Sequence, residues 1–277
     1  MRIEQKMVES AVGEISEVLL DSRRSGKDKA TLVSFERGDI AMYQAILFDL
    51  DDTLFSLRRC EAHALRRTLE SAGLLARLPA DFTERYAAIS AKHWAAPSAA
   101  GYTEARREAV TGRSWRDFLS QHGLDAQLAK GLAAQFWLEF CHSSALNPGA
   151  AEVLRGLSDS FRLGMITNGY SDSQRGRLRA AGLYDAFDPL LISDEVGVQK
   201  PDKQIFEMAL AHLGLGPESV LYVGDSISHD HEGCLRAGLD FCHYCPAWRA
   251  TDGLPPVKFR IERLPELIAI LQPDQTP

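Results

Sequence analysis

Residues 49–53, Asp-Leu-Asp-Asp-Thr, place two carboxylates two positions apart directly after an apolar tetrapeptide. In extended chain, side chains at i and i+2 project to the same side. Asp49 and Asp51 can therefore serve one reacting centre, one attacking and the other moving protons. Aspartate is also a good turn and helix-capping residue, and the cluster taken alone fits that duty equally well. Three further groups have a similar character. Thr167-Asn168-Gly169 offers a hydroxyl, an amide and backbone N–H groups that suit phosphoryl oxygens, or alternatively a plain helix N-cap. Lys200 stands immediately before Pro201, which is placed to open the next helix. Its ammonium can neutralise a phosphate and a carboxylate, although a single lysine is ordinarily a solvated surface group. Asp225 and Asp230, the first within Gly224-Asp225-Ser226, supply hard oxygen donors of the kind Mg2+ prefers. His229 and His231 flank Asp230; in an all-oxygen site they are expected to face solvent or to stand behind the ligands.

Each group follows a short apolar run: 45–48, 163–166, 190–192, 220–223 and, more weakly, 241–244. Continuous apolar runs of this length predict buried parallel strands. Helical stretches separate them, so the fold class is α/β, a Rossmann-like parallel sheet with helices on both faces. Ligands of such sheets bind beyond the carboxyl ends of the strands, which is where 49–53, 167–169, 193–195 and 224–226 fall. Residues 59–145 show helical periodicity instead. Ala62, Leu65, Leu69 and Ala72 share one face, and Phe118, Leu119, Leu128, Leu132 and Phe136 mark further helices. They predict an inserted α-helical subdomain between two parts of a core, 44–58 and 146–277, with Pro148-Gly149 punctuating the return. Residues 1–43 look different. Lys, Arg, Gly and Ser crowd around 22–29, no strand precedes Tyr43, and Val8, Val12, Ile15 and Leu19 recur at helical spacing. The expectation is a loosely held N-terminal extension, or a start placed upstream of Met42.

The chain has 277 residues, enough for a sizeable domain carrying an insertion. A formal net charge of -7 argues against a nucleic acid polymer as partner, since that needs a clustered basic surface; a small phosphorylated ligand remains compatible. No apolar run reaches the length of a membrane span, and acidic residues interrupt the N-terminus where a secretory segment would lie. Five cysteines, including the pair Cys242 and Cys245, fit ordinary reduced residues and a cytoplasmic location. Oligomeric state has no signature.

In this order the four groups resemble the motifs of the haloacid dehalogenase (HAD) superfamily, over residues 43 to about 271, and no motif position departs from the pattern. The long helical insertion is similar to the cap of its subfamily I. Ile166-Thr167-Asn168-Gly169, then residues 192–197 and Lys200-Pro201, look like pyrimidine 5'-nucleotidase-type members. The resemblance implies Asp49 as nucleophile, Asp51 as general acid/base, and Thr167, Asn168 and Lys200 as phosphate-binding residues. It also implies Mg2+ held by Asp49, the backbone carbonyl of Asp51 and Asp225, with Asp230 supporting the site. The implied substrate is a small phosphomonoester, with a nucleoside monophosphate as the leading candidate. Alternatives within the superfamily are a 2-haloacid dehalogenase and a phosphomutase; outside catalysis, a phosphometabolite-binding regulatory module. Asp51 argues against the dehalogenase, because halide leaves without a proton. In the cap, Trp94, Arg106, Arg107, Arg113 and Trp115 are candidates for stacking or gripping the substrate.

Overall fold

A computed structural model describes residues 43–95 and 101–272, so the expected N-terminal extension lies, apart from Tyr43, outside the described residues. The apolar run Ala45–Phe48 forms β1, buried along its whole length. It pairs on one side with β2 (Arg162–Thr167) and on the other with β4 (Val220–Gly224), setting Phe48 opposite both Met165 and Val223. With β3 (Leu190–Ile192), β5 (Asp240–Tyr244) and β6 (Phe259–Ile261) the sheet has the order β3-β2-β1-β4-β5-β6, every pair parallel. Strand order reverses between β1 and β4, so the crevice beyond their carboxyl ends is the switch point where such sheets bind ligands. The last strand has no counterpart in the sequence reading. It is three residues long, and Arg260, exposed between two buried neighbours, breaks its apolar run.

Because successive side chains of a strand alternate, β1 feeds two cores. Ile46 and Phe48 pack with Val153, Leu154 and Leu157 of α5 (Ala150–Ser158) and with Leu267 of α10 (Glu266–Leu271). Ala45 and Leu47 pack on the opposite face with Ile205, Phe206 and Ala209 of α8 (Lys203–Leu213). Three further helices complete the layers: α6 (Ser171–Ala180), α7 (Ser193–Val196) and α9 (Glu232–Ala237).

Between β1 and β2 lie α1 (Leu57–Ser71), α2 (Phe82–Trp94), α3 (Glu104–Gln121) and α4 (Ala129–Cys141). They enclose an apolar core of their own, in which Tyr86, Trp115, Phe118 and Phe136 meet at ring-centroid distances of 5.2 to 6.0 Å. Such aromatic pairs contribute roughly 0.5–1.5 kcal/mol beyond the area they bury. The insert leaves and rejoins the sheet through two chain segments tied side by side. Ser56 N donates to Ala145 O at 2.9 Å, Asn147 N to Leu54 O at 2.8 Å and the Asn147 amide to Thr53 O at 2.9 Å. No helix among the described residues is long and apolar enough to cross a membrane.

The insert meets the core where α6 crosses the end of α4. A Cβ on Gly176 would overlap the carbonyl oxygen of Cys141, so this approach is open to glycine alone. Gly176→Val is therefore expected to lose roughly 1–3 kcal/mol, read as a lower Tm in thermal unfolding. Gly131→Ala, in α4 with nothing near its added methyl, should gain roughly 0.5–1 kcal/mol from helix propensity. A Gly176→Val protein as stable as its parent would show that the two elements can part there at no cost.

Candidate active site

Asp49 emerges from β1 and is almost fully buried, its carboxylate gripped on both oxygens. Lys200 Nζ donates to Oδ1 at 2.6 Å and Thr53 Oγ1 to Oδ2 at 3.2 Å. The same ammonium donates to Asp230 Oδ1 at 2.7 Å and to the Tyr222 hydroxyl at 2.9 Å. Burial alone would discharge Lys200, but Asp230 and Asp49 more than offset that and leave its pKa above the ordinary lysine value. Burial raises the Asp49 carboxyl well above the usual range, against the pull of Lys200 and with added repulsion from Asp230 and Asp225.

Asp51 meets a different environment. Arg177, itself buried, forks its carboxylate through Nη1 to Oδ1 at 2.5 Å and Nη2 to Oδ2 at 2.9 Å, and Gln174 Nε2 adds a bond to Oδ2 at 3.1 Å. Burial would raise the Asp51 carboxyl, yet Arg177, helped by Gln174, holds it below the usual range. Gln174 and Arg177 lie three residues apart on α6, hence on one face, and that face points back at the carboxyl end of β1. Their signal in the sequence is the i, i+3 pair opening the helix after Thr-Asn-Gly.

Asp49, Asp225 and Asp230 each offer one carboxylate oxygen, all within 4.8 Å of one another. An all-oxygen donor set of this size fits a small hard cation. The three differ in how free they are. Asp230 is fully buried with both oxygens engaged, Oδ1 by Lys200 and Tyr222 and Oδ2 by Ser226 N at 3.0 Å, which suits a supporting place. It fits beneath β4 because Gly224 has no Cβ; one would overlap its carboxylate. Asp225 accepts from Arg249 Nη1 at 2.6 Å, and burial, opposed by Arg249 and reinforced by Asp230, pushes its pKa up to about 6. Arg249 comes from the segment between β5 and β6, where no motif announces it. His229 and His231 stand outside the carboxylate group, the former beside Ser226 and the latter packed against Phe241. Cys242 and Cys245 are buried free thiols.

At the end of β2 the Thr167 hydroxyl is buried without a hydrogen-bond partner among the described residues. Asn168, expected among the phosphate-binding residues, engages the lysine loop through its side chain. Its Nδ2 donates to Lys200 O at 3.0 Å and its Oδ1 accepts from Lys200 N at 2.8 Å, so it clamps the backbone that delivers the ammonium. Pro201 does not open a helix; α8 starts at Lys203 with Asp202 as N-cap, accepting from Gln204 N at 3.0 Å.

A cavity of about 180 Å³ adjoins Asp51, bounded by Gln174, Arg177 and Tyr170 from α6 and its approach and by Glu61, Tyr86, Trp94, Tyr102, Phe136, Trp137 and Phe140 from the insert. A larger groove of about 710 Å³ lies between α3 and α4, away from every carboxylate just described. Of the insert residues singled out from sequence, Trp94 borders the cavity beside Asp51. Arg106 lies over the Trp94 ring at 5.7 Å, Arg107 ion-pairs with Asp172 at 2.9 Å, and Arg113 lines the other groove. Trp115 is fully buried in the aromatic core of the insert.

A model of the haloacid dehalogenase-like hydrolases matches residues 43–238. The HAD-hydrolase YfnB of Bacillus subtilis is 32% identical over 241 residues, spanning 84% of this chain and 97% of the relative. Its crystal structure, described as bound to magnesium, superposes with a TM-score of 0.71 over 83% of this chain and 99% of that one, at 29% identity. The pyrimidine 5'-nucleotidase YjjG of Escherichia coli is 33% identical over 205 residues, 71% of this chain and 84% of the relative. A 2-haloacid dehalogenase from Pseudomonas syringae is 29% identical, with a TM-score of 0.55 over 83% of this chain and 98% of that one. With that breadth of match, and with its four motif groups gathered at the carboxyl end of one parallel sheet, the chain belongs to the haloacid dehalogenase-like hydrolases.

Proposed function

We propose that this hydrolase cleaves a small phosphomonoester, with Asp49 as the nucleophile and a nucleoside monophosphate as the leading substrate. The observation that carries the reading is the pairing of Asp49 with a second carboxylate, Asp51, held by its own arginine at the mouth of the cavity. An Asp49 oxygen attacks phosphorus and the bond to the leaving oxygen breaks, while Asp51 gives that oxygen a proton. In the second half-reaction Asp51 takes a proton from water, the water oxygen joins phosphorus, and the Asp49 carboxylate and inorganic phosphate separate. Lys200 offsets the repulsion between a phosphate dianion and the nucleophile, and the Thr167 hydroxyl, without a partner among the described residues, would donate to a phosphoryl oxygen. Asn168 contributes by fixing Lys200. Mg2+ would be held by Asp49, Asp225 and the carbonyl of Asp51, with Asp230 behind them, and would supply charge neutralisation to the phosphoryl oxygens. The nucleoside assignment is supported by the nucleotidase-like motifs, the relative named for that activity and the aromatic cavity beside Asp51. A 2-haloacid dehalogenase has no use for the Asp51–Arg177 pair, because a halide departs unprotonated.

Excess EDTA should abolish phosphate release and added Mg2+ or Mn2+ restore it; full turnover in a verified metal-free sample would remove the cation from the mechanism.

Arg177→Lys keeps a positive charge but loses the two-pronged grip on Asp51. Misplacement of a reacting group by about 1 Å can lower rates by roughly 10²-fold, so kcat should fall by that order with KM little changed. An unaltered kcat would mean that Asp51 needs no such support.

Asp51→Asn retains size but not the proton. Positioned acid/base groups contribute ~10²–10⁴ in rate, and turnover of alkyl phosphates should fall accordingly. An aryl phosphate should suffer less in its first step, since phenolate leaves with little protonation. A burst of phenol followed by a stall is the expected trace, with phosphorylated Asp49 detectable by mass spectrometry. Unchanged steady-state rates for both esters would exclude Asp51 from the reaction.

A further inference from the structure

The cavity beside Asp51 contains one acidic group that the chemistry above does not use. Glu61 projects from α1 of the insert; its Oε1 accepts from Ser90 Oγ at 3.0 Å, while Oε2 has no hydrogen-bond partner among the described residues, and no lysine or arginine there pairs with it. Next to it the walls are flat rings, Tyr86, Trp94, Tyr102 and Phe136. Burial pushes the Glu61 carboxyl up to about 7, the Ser90 hydrogen bond opposing and Asp51 and Asp52 adding repulsion. Glu61 is only partly buried, and its Oε2 is free to accept from whatever occupies the cavity.

We infer that Glu61, steadied by Ser90, is the specificity-determining group of this cavity and accepts an N–H from a flat ring on the leaving alcohol, the pattern of a pyrimidine imide edge. The inference rests on the cavity being the leaving-group pocket of the phosphatase proposed above. Flat walls select a ring over a flexible polyol, because stacking rewards planar faces. Arg106 lies over Trp94 at 5.7 Å and Arg107 over Trp137 at 5.0 Å, so both tryptophans bordering the cavity already have a guanidinium over the ring. With a neutral ring N–H at Glu61, the phosphate end lies towards Asp51.

Calorimetric binding of uridine and of 3-methyluridine, which differ at the ring N–H, tests this without any chemistry. The full chain should bind uridine the more tightly by roughly tenfold to hundredfold, the range of one hydrogen bond to a charged or near-charged acceptor. Glu61→Gln, which keeps the bond to Ser90, and Glu61→Ala should both lose most of that preference. In turnover, kcat/KM for uridine monophosphate should fall in the variants by the same factor, while phenyl phosphate, which has a ring and no N–H, keeps its wild-type value. Equal binding of the two nucleosides by the wild type, no binding of uridine, a preference that survives in Glu61→Ala, or selective hydrolysis of phosphocholine would each overturn the role given to Glu61. Discrimination between the nucleosides with no phosphate released from any ester would leave Glu61 in place and remove the phosphatase instead.

Discussion

Lys200 Nζ meets three buried oxygens at once, those of Asp49, Asp230 and Tyr222, at 2.6, 2.7 and 2.9 Å. An ammonium has three N–H donors, and taken out of water it is tolerable only when all are satisfied. Here each acceptor comes from a different place in the sheet: the end of β1, the turn after β4, and β4 itself. The lysine is delivered by a loop that Asn168, at the end of β2, holds through both groups of its amide. The arrangement therefore depends on the register of three neighbouring strands. Because the side-chain period of a strand is two, a slip of β1 by one residue would turn Asp49 into the opposite core and leave the ammonium facing an apolar side chain. Such a buried ion cluster is weak evidence for added stability; its effect is to make one register of the central strands far better than its neighbours.

Asp49 and Asp51 are two residues apart, chemically identical, and driven in opposite electrostatic directions. Asp49 sits among Asp225 and Asp230 with one shared lysine, and its proton affinity rises. Asp51 has a bidentate arginine to itself, and its proton affinity falls. These directions are the reverse of what an attacking carboxylate and a proton donor need, so in the proposed reaction a cation among Asp49, Asp225 and Asp230 would have to favour the ionised Asp49, and Asp51 would have to take up a proton before giving one. The crowding at Asp49 also has a structural consequence. Three carboxylate oxygens within 4.8 Å of one another, with Lys200 and Arg249 as their nearby cations, form a pocket whose charge is best completed by a further positive group.

What could be read from the chain alone follows this division. The five apolar runs and the polar residues that end them were legible because burial on both faces of a parallel sheet writes itself as contiguous hydrophobicity, and because the site lies where those runs stop. β6 was not, since Arg260 breaks its three residues, whereas the equally short β3 is an unbroken Leu-Leu-Ile. Arg177 and Gln174 lie in a helix with three arginines, of which Arg177 alone is buried, a distinction that its sequence does not announce. Arg249 lies in a segment without regular structure. Asn168 shows a subtler limit: its type suited a phosphate ligand, but only coordinates reveal that its amide also holds the backbone of Lys200. Trp115 and Trp94 are both tryptophans on insert helices, yet one is locked in the interior and the other borders the cavity. The difference arises from how α2, α3 and α4 pack, which periodicity does not encode.

Asp51 is where sheet and insert act on the same atom. The Arg177 guanidinium that forks it lies 4.8 Å from the ring centroid of Phe140 in α4 and 5.9 Å from that of Phe55, where the chain crosses into the insert. Rings over a guanidinium shield its faces from water and leave its edge free to donate. The packing of the insert thereby sets how dry the Arg177–Asp51 pair is, and so how strongly the carboxylate is held. The ring over Lys200 is that of Tyr222 in β4, 5.5 Å from Nζ, and among the described residues the hydrogen-bond partners of this ammonium belong to the sheet and the turns at its edge. Asp49 and Asp51 are thus stabilised by separate parts of the molecule. In the proposed reaction, changes in α4 that displace Phe140 would bear on the proton Asp51 delivers before they bear on attack by Asp49. Asp51 and the cavity beside it are consequently governed by the same helices.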